Sequence, residues 1–330
     1  MKLEDCWKLS PLADEVFSSW LYRQSLHSRW SDKITALNGL FESPEYTASY
    51  FDPDYDIEGE DFLRCCRSAD VDVRSAQQLF VRPTCWAAPR KFRQAYCMLC
   101  MEESYRVCGA PIYKRSWGLM MAPFCMVHGV LLRNGNYTHK NTMNLGVSLF
   151  KQHWSSRAER IDFEVLDRLY PWLPLAMKVQ QEIGQPDGDF VRDELKVLMQ
   201  LFLSHQLDFV SNELSRNVWG RAGGVFSTVP VSARSAIHLN AISACTVVRA
   251  KALCYLGRTL DLITDQEMRT GFGDSSFMPN DLDSMIAHLA GCWKSDVISI
   301  SRNRLQALSG RDTKQSVRVF VEALSYALKV

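Results

Sequence analysis

Apolar residues recur at helical spacing along most of the chain, which predicts a mainly α-helical fold. A first helix is expected from Asp14 to Gln24, with Asp14 placed as its N-terminal cap. Ser31 is placed to cap a second helix that continues through Phe41. The stretch 42–59 that follows is acidic and contains proline and glycine, so it is expected to form a solvated loop.

Two short helices are predicted next, from Glu60 to Arg67 and from Val71 to Phe80. Residues 68–70 join them in a tight corner that is compatible with a helix-turn-helix. The polar residues expected to face outward on the second of these helices are Arg74, Gln77 and Gln78. This polar face could contact nucleic acid or a protein partner.

A basic segment lies between this helix pair and the centre of the chain. Residues 82–93 contain two prolines, a tryptophan and four cations, which is typical of a domain junction with a locally basic surface. The four cations are Arg82, Arg90, Lys91 and Arg93. A solvated linker without a binding role is the alternative interpretation.

Two pairs of metal-ligating residues give the strongest chemical signal in the sequence. Cys97 and Cys100 form one pair, and Cys125 and His128 form a second pair after twenty-four intervening residues. Two ligands three positions apart can turn around one edge of a metal ion, so the two pairs together predict a tetrahedral zinc site. Four strong donors leave no coordination position for water, which indicates a structural ion. Residues close enough in sequence to replace one ligand are Cys85, Cys108 and His139.

Short strand-like runs are expected inside this zinc module, around 114–120 and 129–133. Beyond residue 141 the apolar pattern is again helical. Helical segments are predicted from Val191 to Leu203, from Ser232 to Ile263 with a break near Gly257, from Asp281 to Leu289, from Val297 to Leu308 and from Lys314 to Leu328. The C-terminal part is therefore expected to be a helical domain.

Composition narrows the function classes. The 330 residues carry 38 Lys and Arg against 37 Asp and Glu, so the net charge of +1 provides no global attraction to nucleic acid or to an anionic membrane. No signal-peptide pattern and no long apolar run is present, which predicts a cytoplasmic protein without a membrane segment. In a reducing compartment, eleven cysteines favour one metal site plus buried thiols over disulfides.

Several motifs resemble those of the TniQ family. The segments Pro11–Glu15 and Ser18–Arg23 are similar to the start of that family's domain. Tyr96–Glu103, then Tyr113 with Trp117, then Phe124–Leu132 resemble the family's Cys-Pro-x-Cys-Leu, aromatic-Arg-x-x-Trp and Cys-x-x-His-Gly elements in the same order. The sequence departs from the pattern at Met98, where the family usually has proline, and it has no further C-x-x-C pair after His128.

The resemblance implies a non-enzymatic targeting adaptor of a Tn7-like transposon. Proteins of this kind link a target-recognition device to the AAA+ ATPase TnsC, which recruits the transposase. In CRISPR-associated transposons the device is an RNA-guided Cascade complex, on which the TniQ protein is a homodimer and contacts target DNA at most indirectly. A longer type of relative, TnsD, binds an attachment site directly, so a sequence-specific DNA-binding protein is the second hypothesis.

Taken together, the sequence predicts a mainly α fold with three parts. These are an N-terminal helix-turn-helix-like bundle (1–83), a central zinc-finger module with short strands (84–140) and a helical C-terminal domain (141–330). Sequence motifs of serine hydrolases, zinc proteases, P-loop NTPases and zinc deaminases are missing, so an enzyme is not expected.

Overall fold

The computed structural model divides the chain into two compact units. The first comprises Met1–Met120, Cys125–His128 and Leu132–Ala158, and the second comprises Met121–Phe124, Gly129–Leu131 and Glu159–Val330. The structure describes residues 10–26, 31–42, 52–80, 86–135, 143–155, 170–184, 192–204, 241, 244–273, 279, 281–292, 306, 308 and 314–328. This division describes packing, and the domain boundaries at 83 and 140 stay predictions.

The first unit contains helices, short 3-10 turns and one small sheet. Its helices are α1 (Phe17–Ser25), α2 (Ser31–Glu42), α3 (Glu60–Ala69), α4 (Val73–Leu79), α5 (Met98–Cys108) and α6 (Leu145–Ser155), and its 3-10 helices are Arg90–Phe92 and Arg115–Gly118. Strand β1 (Ala95–Tyr96) pairs antiparallel with β4 (Arg133–Asn134), with Ala95 opposite Asn134. Strands β2 (Phe124–Cys125) and β3 (Val130–Leu131) form a second small sheet, of which Phe124 and β3 are assigned to the second unit.

Apart from Phe124 and β3, the regular secondary structure described in the second unit is helical. Its helices are α7 (Leu173–Ile183), α8 (Arg192–Ser204), α9 (Thr246–Thr259), α10 (Asp265–Phe272), α11 (Leu282–Cys292) and α12 (Gln315–Ala327). Helix α9 is buried along most of its length and packs against α7 and α8, and α11 packs against α12. The prediction of a mainly α fold is therefore confirmed.

An aromatic cluster forms the core of the N-terminal helices. The Phe17 ring centroid lies 4.5 Å from that of Phe62 and 5.2 Å from that of Phe80, and Trp20 lies 5.6 Å from Phe80. These side chains come from α1, α3 and the end of α4, and each is almost fully buried. Burying such large apolar surfaces is the main favourable term that holds these short helices together.

Helix α1 starts later than predicted and Asp14 does not cap it. Asp14 has a positive φ of 62°, and its Oδ2 accepts a hydrogen bond from the Ser116 backbone N–H at 3.0 Å. The helix instead begins at Phe17, after Val16, which provides no side-chain cap. Asp14 therefore ties the chain to the 3-10 turn 115–118, a contact remote in sequence that a local capping rule does not include.

The predicted pair of short helices is present as α3 and α4. Helix α3 ends at Ala69, and its C-cap residue Asp70 adopts the left-handed conformation with φ 54°. Helix α4 begins two residues later than predicted because Asp72 caps it, accepting a hydrogen bond from the Ser75 N–H at 2.8 Å. The helix-turn-helix interpretation of this pair as a nucleic-acid reader stays a prediction.

The acidic loop is not simply solvated, which corrects the sequence-based interpretation. Asp54 is 4% exposed, and its Oδ1 accepts a hydrogen bond from the Ser18 backbone N–H at 2.7 Å. Asp54 forms an ion pair with Arg90, and Arg93 pairs with Asp52 while its Nη1 lies 3.5 Å from Asp54 Oδ2. Because unpaired charges are very costly to bury, acids and cations from separate sequence segments neutralise one another here.

In the second unit, the helix predicted from Val191 to Leu203 is confirmed by α8 and the one from Lys314 to Leu328 by α12. The predicted break at Gly257 is wrong, because α9 continues through this residue to Thr259. A Cβ atom at 257 would lie 2.3 Å from Val179 Cγ2, so glycine here permits close helix packing.

The long segment Ser232–Ile263 is not one continuous helix, since residues 244 and 245 are not helical and α9 starts at Thr246. Residues 205–240 lie outside the described part. The helix predicted from Asp281 is present as α11, whereas most of Val297–Leu308 also lies outside the described residues. No helix in the described ranges is both long and apolar enough to cross a membrane.

Helix α10 begins with a capping box. The Thr264 hydroxyl accepts a hydrogen bond from the Glu267 N–H at 3.2 Å, and Glu267 Oε2 accepts one from the Thr264 N–H at 2.7 Å. A hydrogen bond from Lys178 and the bond from the Thr264 N–H lower the pKa of Glu267 to about 2. The Glu267 carboxylate therefore stays ionised down to strongly acidic pH in the folded protein.

Candidate metal centre

Helix α5 provides one pair of predicted ligands. Cys97 is the N-terminal cap residue of α5 and Cys100 lies in its first turn, so both sulfurs are held at the positive end of the helix dipole. A helix N-terminus favours the thiolate forms that bind metals, but without a metal ion this effect is outweighed by the hydrogen bonds among the three sulfurs described below. Both cysteines are only 2% exposed.

The second pair lies on a tight turn between β2 and β3. Cys125 is in β2, and His128 lies in the turn 126–129 that leads into β3. Gly129 has a φ of 63°, a left-handed conformation that glycine adopts without the steric cost of a side chain. The turn therefore folds back sharply enough to present Cys125 and His128 to the same point.

The four donor atoms have the spacing of a tetrahedral metal site. All lie within 4.8 Å of one another. His128 Nδ1 is 3.3 Å from Cys100 Sγ, 3.5 Å from Cys97 Sγ and 3.6 Å from Cys125 Sγ. Cys100 Sγ is 3.6 Å from Cys125 Sγ. Zinc bonds of normal length at tetrahedral angles require about 3.8 Å between two sulfurs and about 3.6 Å between sulfur and nitrogen, so the donor set fits zinc.

Hydrogen bonds among the three cysteine sulfurs shift their pKa values in different directions. The pKa of Cys125 is held well below its usual range, first by the hydrogen bond from Cys100. The hydrogen bond with Cys125 raises the pKa of Cys100 to about 11, and that of Cys97 is also raised, first by its hydrogen bond with Cys100. A metal ion that binds all three sulfurs as thiolates must therefore displace protons, so its affinity falls on acidification.

His128 is the least buried ligand of the four, with a side chain 16% exposed. Its other ring nitrogen, Nε2, lies 3.0 Å from Glu103 Oε1. Burial opposes the charged imidazolium, but the hydrogen bonds with Glu103 and then Cys125 raise the pKa of His128. Sequence analysis missed Glu103, although it lies one helical turn after Cys100 on α5.

The alternative ligands are excluded only in part. Cys108 does not belong to the cluster, and its Sγ instead lies 3.0 Å from the Ser104 carbonyl oxygen at the other end of α5. Cys85 and His139 lie outside the described residues. The described set is therefore Cys97, Cys100, Cys125 and His128, as the sequence predicted, and within the described ranges this is the one such cluster of metal-ligating residues.

A centre with four protein donors can stabilise the fold but leaves no position for a reacting water. Three thiolates and one imidazole suit zinc far better than calcium or magnesium, which prefer oxygen. One bound zinc would link helix α5 to the β2–β3 turn. The chemistry of the donor set is therefore that of a structural site.

Of the residues predicted to bind nucleic acid or a partner, those that the structure describes differ in exposure. On α4, Arg74 and Gln78 are exposed, while Gln77 is half-buried and donates a hydrogen bond to the Ile57 carbonyl at 3.1 Å. Arg90 and Arg93 are 7% and 2% exposed, and both are engaged by the acidic loop. These two guanidinium groups therefore serve the fold and do not contribute to an exposed basic patch.

The side chains of the other two predicted basic residues, Lys91 and Arg82, lie outside the described part of the structure. Lys91 belongs to the 3-10 helix Arg90–Phe92, and its side chain lies outside the description. Arg82 also lies outside the described residues. Nothing in the sequence marked Asp52 and Asp54 as the partners of Arg93 and Arg90, because about forty residues separate them.

The chain thus combines a mainly helical fold with a Cys3His cluster that could hold a metal ion. Residues 6–132, which include all four donors, match the family model of TniQ. This N-terminal part of the chain is therefore similar to the TniQ domain, the domain of transposition-targeting proteins of Tn7-like elements. The comparison with curated proteins gave no match, and neither did the comparison with solved structures.

Proposed function

We propose that this protein is a non-enzymatic adaptor that bridges an RNA-guided Cascade complex to the AAA+ ATPase TnsC, so that the transposase is recruited to the target. The observation that carries the proposal is the TniQ match over residues 6–132 together with a metal cluster that has four protein donors. In this proposal the protein acts as a homodimer, and it contacts target DNA indirectly.

The metal centre supports a scaffolding role. Helix α5 carries two donors near its start, and the β2–β3 turn carries the other two. A bound ion would fix these elements relative to each other without taking part in a reaction. Structural zinc in small modules contributes on the order of ten kcal/mol to folding, so the recognition surface depends on the metal.

The charge distribution favours protein docking over direct DNA reading. The net charge of the whole chain is +1. Two of the predicted basic residues, Arg90 and Arg93, are buried and paired with Asp54 and Asp52 respectively. Strong DNA binding depends on many exposed cations that displace counterions from the phosphate backbone.

Exposed apolar side chains around the metal module also support protein docking. Met126 and Val127, in the turn between two ligands, are 48% and 67% exposed. On α5, Tyr105 and Val107 are 52% and 76% exposed. Exposed apolar side chains, where they form a contiguous patch, are typical of protein interaction sites.

Reconstitution with purified components tests the proposal. The guide-RNA-loaded Cascade complex is bound to immobilised target DNA, and retention of TnsC with ATP is measured with and without this protein. We expect TnsC to be retained only when the protein is present, and Val127→Asp to weaken this retention relative to Val319→Asp, a matched change on α12 where the residue is 44% exposed. Retention that is independent of the protein contradicts the proposal.

The second candidate is a sequence-specific DNA-binding protein, which is favoured by the exposed Arg74 and Gln78 on α4. Fluorescence anisotropy with duplex DNA alone, over a series of salt concentrations, separates the two. A direct reader shows a log affinity that falls by about 0.9 per phosphate contact for each unit of log salt. In that case Arg74→Ala weakens binding, whereas an adaptor shows no specific binding without Cascade.

A further inference from the structure

We propose that Glu103 is a positioning residue for the metal centre, which orients His128 so that Nδ1 is the ligand atom. His128 Nδ1 lies 3.3–3.6 Å from the three sulfurs, whereas Nε2 points away from them and lies 3.0 Å from Glu103 Oε1. The two nitrogens of one ring thus face different partners. This inference concerns the metal site itself and is independent of which partners the protein binds.

The chemistry of a neutral imidazole explains why the second contact matters. Such a ring carries one N–H, and a metal can take only the nitrogen that lacks the proton. If Nδ1 binds the ion, Nε2 must carry the proton and donate it to an acceptor. A carboxylate is a strong acceptor there because it is negatively charged. Its hydrogen bond with Nε2 fixes the tautomer and the ring orientation, and it makes the ligating nitrogen more basic.

Of the four ligands, His128 lies nearest to solvent. Its side chain is 16% exposed, whereas the three cysteines are 2–4% exposed. Water therefore reaches this edge of the site most readily and competes for the ring nitrogens. Glu103 is held on the same helix as Cys97 and Cys100, so α5 supplies two ligands and the group that orients a third.

The neighbouring acid provides a matched control. Glu102 is on the same helix, but its carboxylate is directed to Arg106, with Oε2 4.0 Å from Arg106 Nη2. Both glutamates are on the surface side of α5, and Glu103 is 57% exposed, so neither side chain is needed to fill the core. A difference between the two substitutions therefore reports on the contact with His128 and not on the loss of one negative charge from the helix.

Metal competition and histidine NMR test the proposal on the full-length, zinc-loaded protein. Zinc affinity is measured against a chromophoric chelator for the wild type, Glu103→Ala, Glu103→Gln and Glu102→Ala. We expect Glu103→Ala to lower the affinity by about 10- to 100-fold, as for other residues that orient a metal-bound histidine. Glu103→Gln keeps an oxygen acceptor and should recover part of that loss, while Glu102→Ala should match the wild type.

A spectroscopic readout separates orientation from general destabilisation. Long-range 15N–1H correlation spectra of the histidine rings should show His128 coordinated through Nδ1 with the proton on Nε2 in the wild type. Glu103→Ala should broaden or shift these signals while Glu102→Ala leaves them unchanged. The proposal is overturned if Glu103→Ala and Glu102→Ala have the same zinc affinity, or if the wild-type ring binds through Nε2.

Discussion

Asp54 connects the acidic loop to helix α1, and its removal should destabilise the first unit severely. The side chain is 4% exposed and accepts hydrogen bonds from both the backbone N–H and the hydroxyl of Ser18, at 2.7 and 3.0 Å. It also forms an ion pair with Arg90 and lies near Arg93. Asp54→Ala therefore leaves two buried guanidinium groups without one of their counterions.

The size of this effect follows from the burial of the partners. Removing one member of a buried ion pair costs about 3–5 kcal/mol, because the remaining charge is uncompensated in a low-dielectric interior. A domain typically has a free energy of unfolding of about 5–15 kcal/mol, so this is a large fraction of the total. Asp54→Asn keeps an acceptor for the Ser18 N–H and loses only the charge, and we expect it to cost less than Asp54→Ala.

Urea denaturation of the zinc-saturated protein measures the effect. Near-ultraviolet circular dichroism follows the aromatic core, and native-state hydrogen exchange of the α1 amides reports on the first unit separately from the second. Glu58→Ala, in the same loop but exposed, is the control and should change the free energy of unfolding by no more than about 0.5 kcal/mol. If Asp54→Ala behaves like Glu58→Ala, the buried ion-pair network does not stabilise this unit.

Three further predictions concern packing, pH and the metal ligands. Gly257→Ala should lower the free energy of unfolding by about 1–3 kcal/mol, because the added methyl group overpacks the contact with the neighbouring helix. Gly291→Ala is the control: no atom lies within 4 Å of its added Cβ, so thermal denaturation should show a neutral or stabilising effect. Folding lowers the pKa of Glu267, so its ionised carboxylate stabilises the folded state above the unfolded-state pKa, and this stabilisation is lost as pH falls from about 5 towards 2. The free energy of unfolding of Glu267→Gln, measured over the same pH range, should lack this pH-dependent loss. Equal acid sensitivity of the variant and the wild type would contradict the assignment. Cys100→Ser should abolish stoichiometric zinc binding and unfold the region around the site, while Cys108→Ser should retain both the metal and the circular dichroism spectrum.

The sequence pattern predicted the helices and the cluster of four possible metal ligands because both are coded locally. The helix at 192–204 follows from its apolar periodicity, and the pair Cys97 and Cys100 follows from a fixed spacing. Gly257 was misjudged as a helix break because the reason for glycine there is contact with another helix, which a single segment does not reveal.

Long-range electrostatics were also beyond the sequence pattern. Asp54 and Arg90 were interpreted as members of a solvated loop and a basic surface, since charged residues are usually exposed. Their pairing in the interior depends on tertiary structure that brings together segments 36 residues apart. The contact of Glu103 with His128 was only partly accessible from the sequence. Helical spacing from Cys100 gives the location of Glu103, but it does not identify His128 as its partner.

The coordination of the metal is the central claim, and X-ray absorption spectroscopy of the purified, full-length protein tests it most directly. At the zinc edge we expect one ion per chain, with three sulfur atoms at about 2.3 Å and one nitrogen at about 2.0–2.1 Å. A protein that folds with no bound metal, or a zinc shell that contains water or carboxylate oxygen in place of a sulfur, would contradict the account.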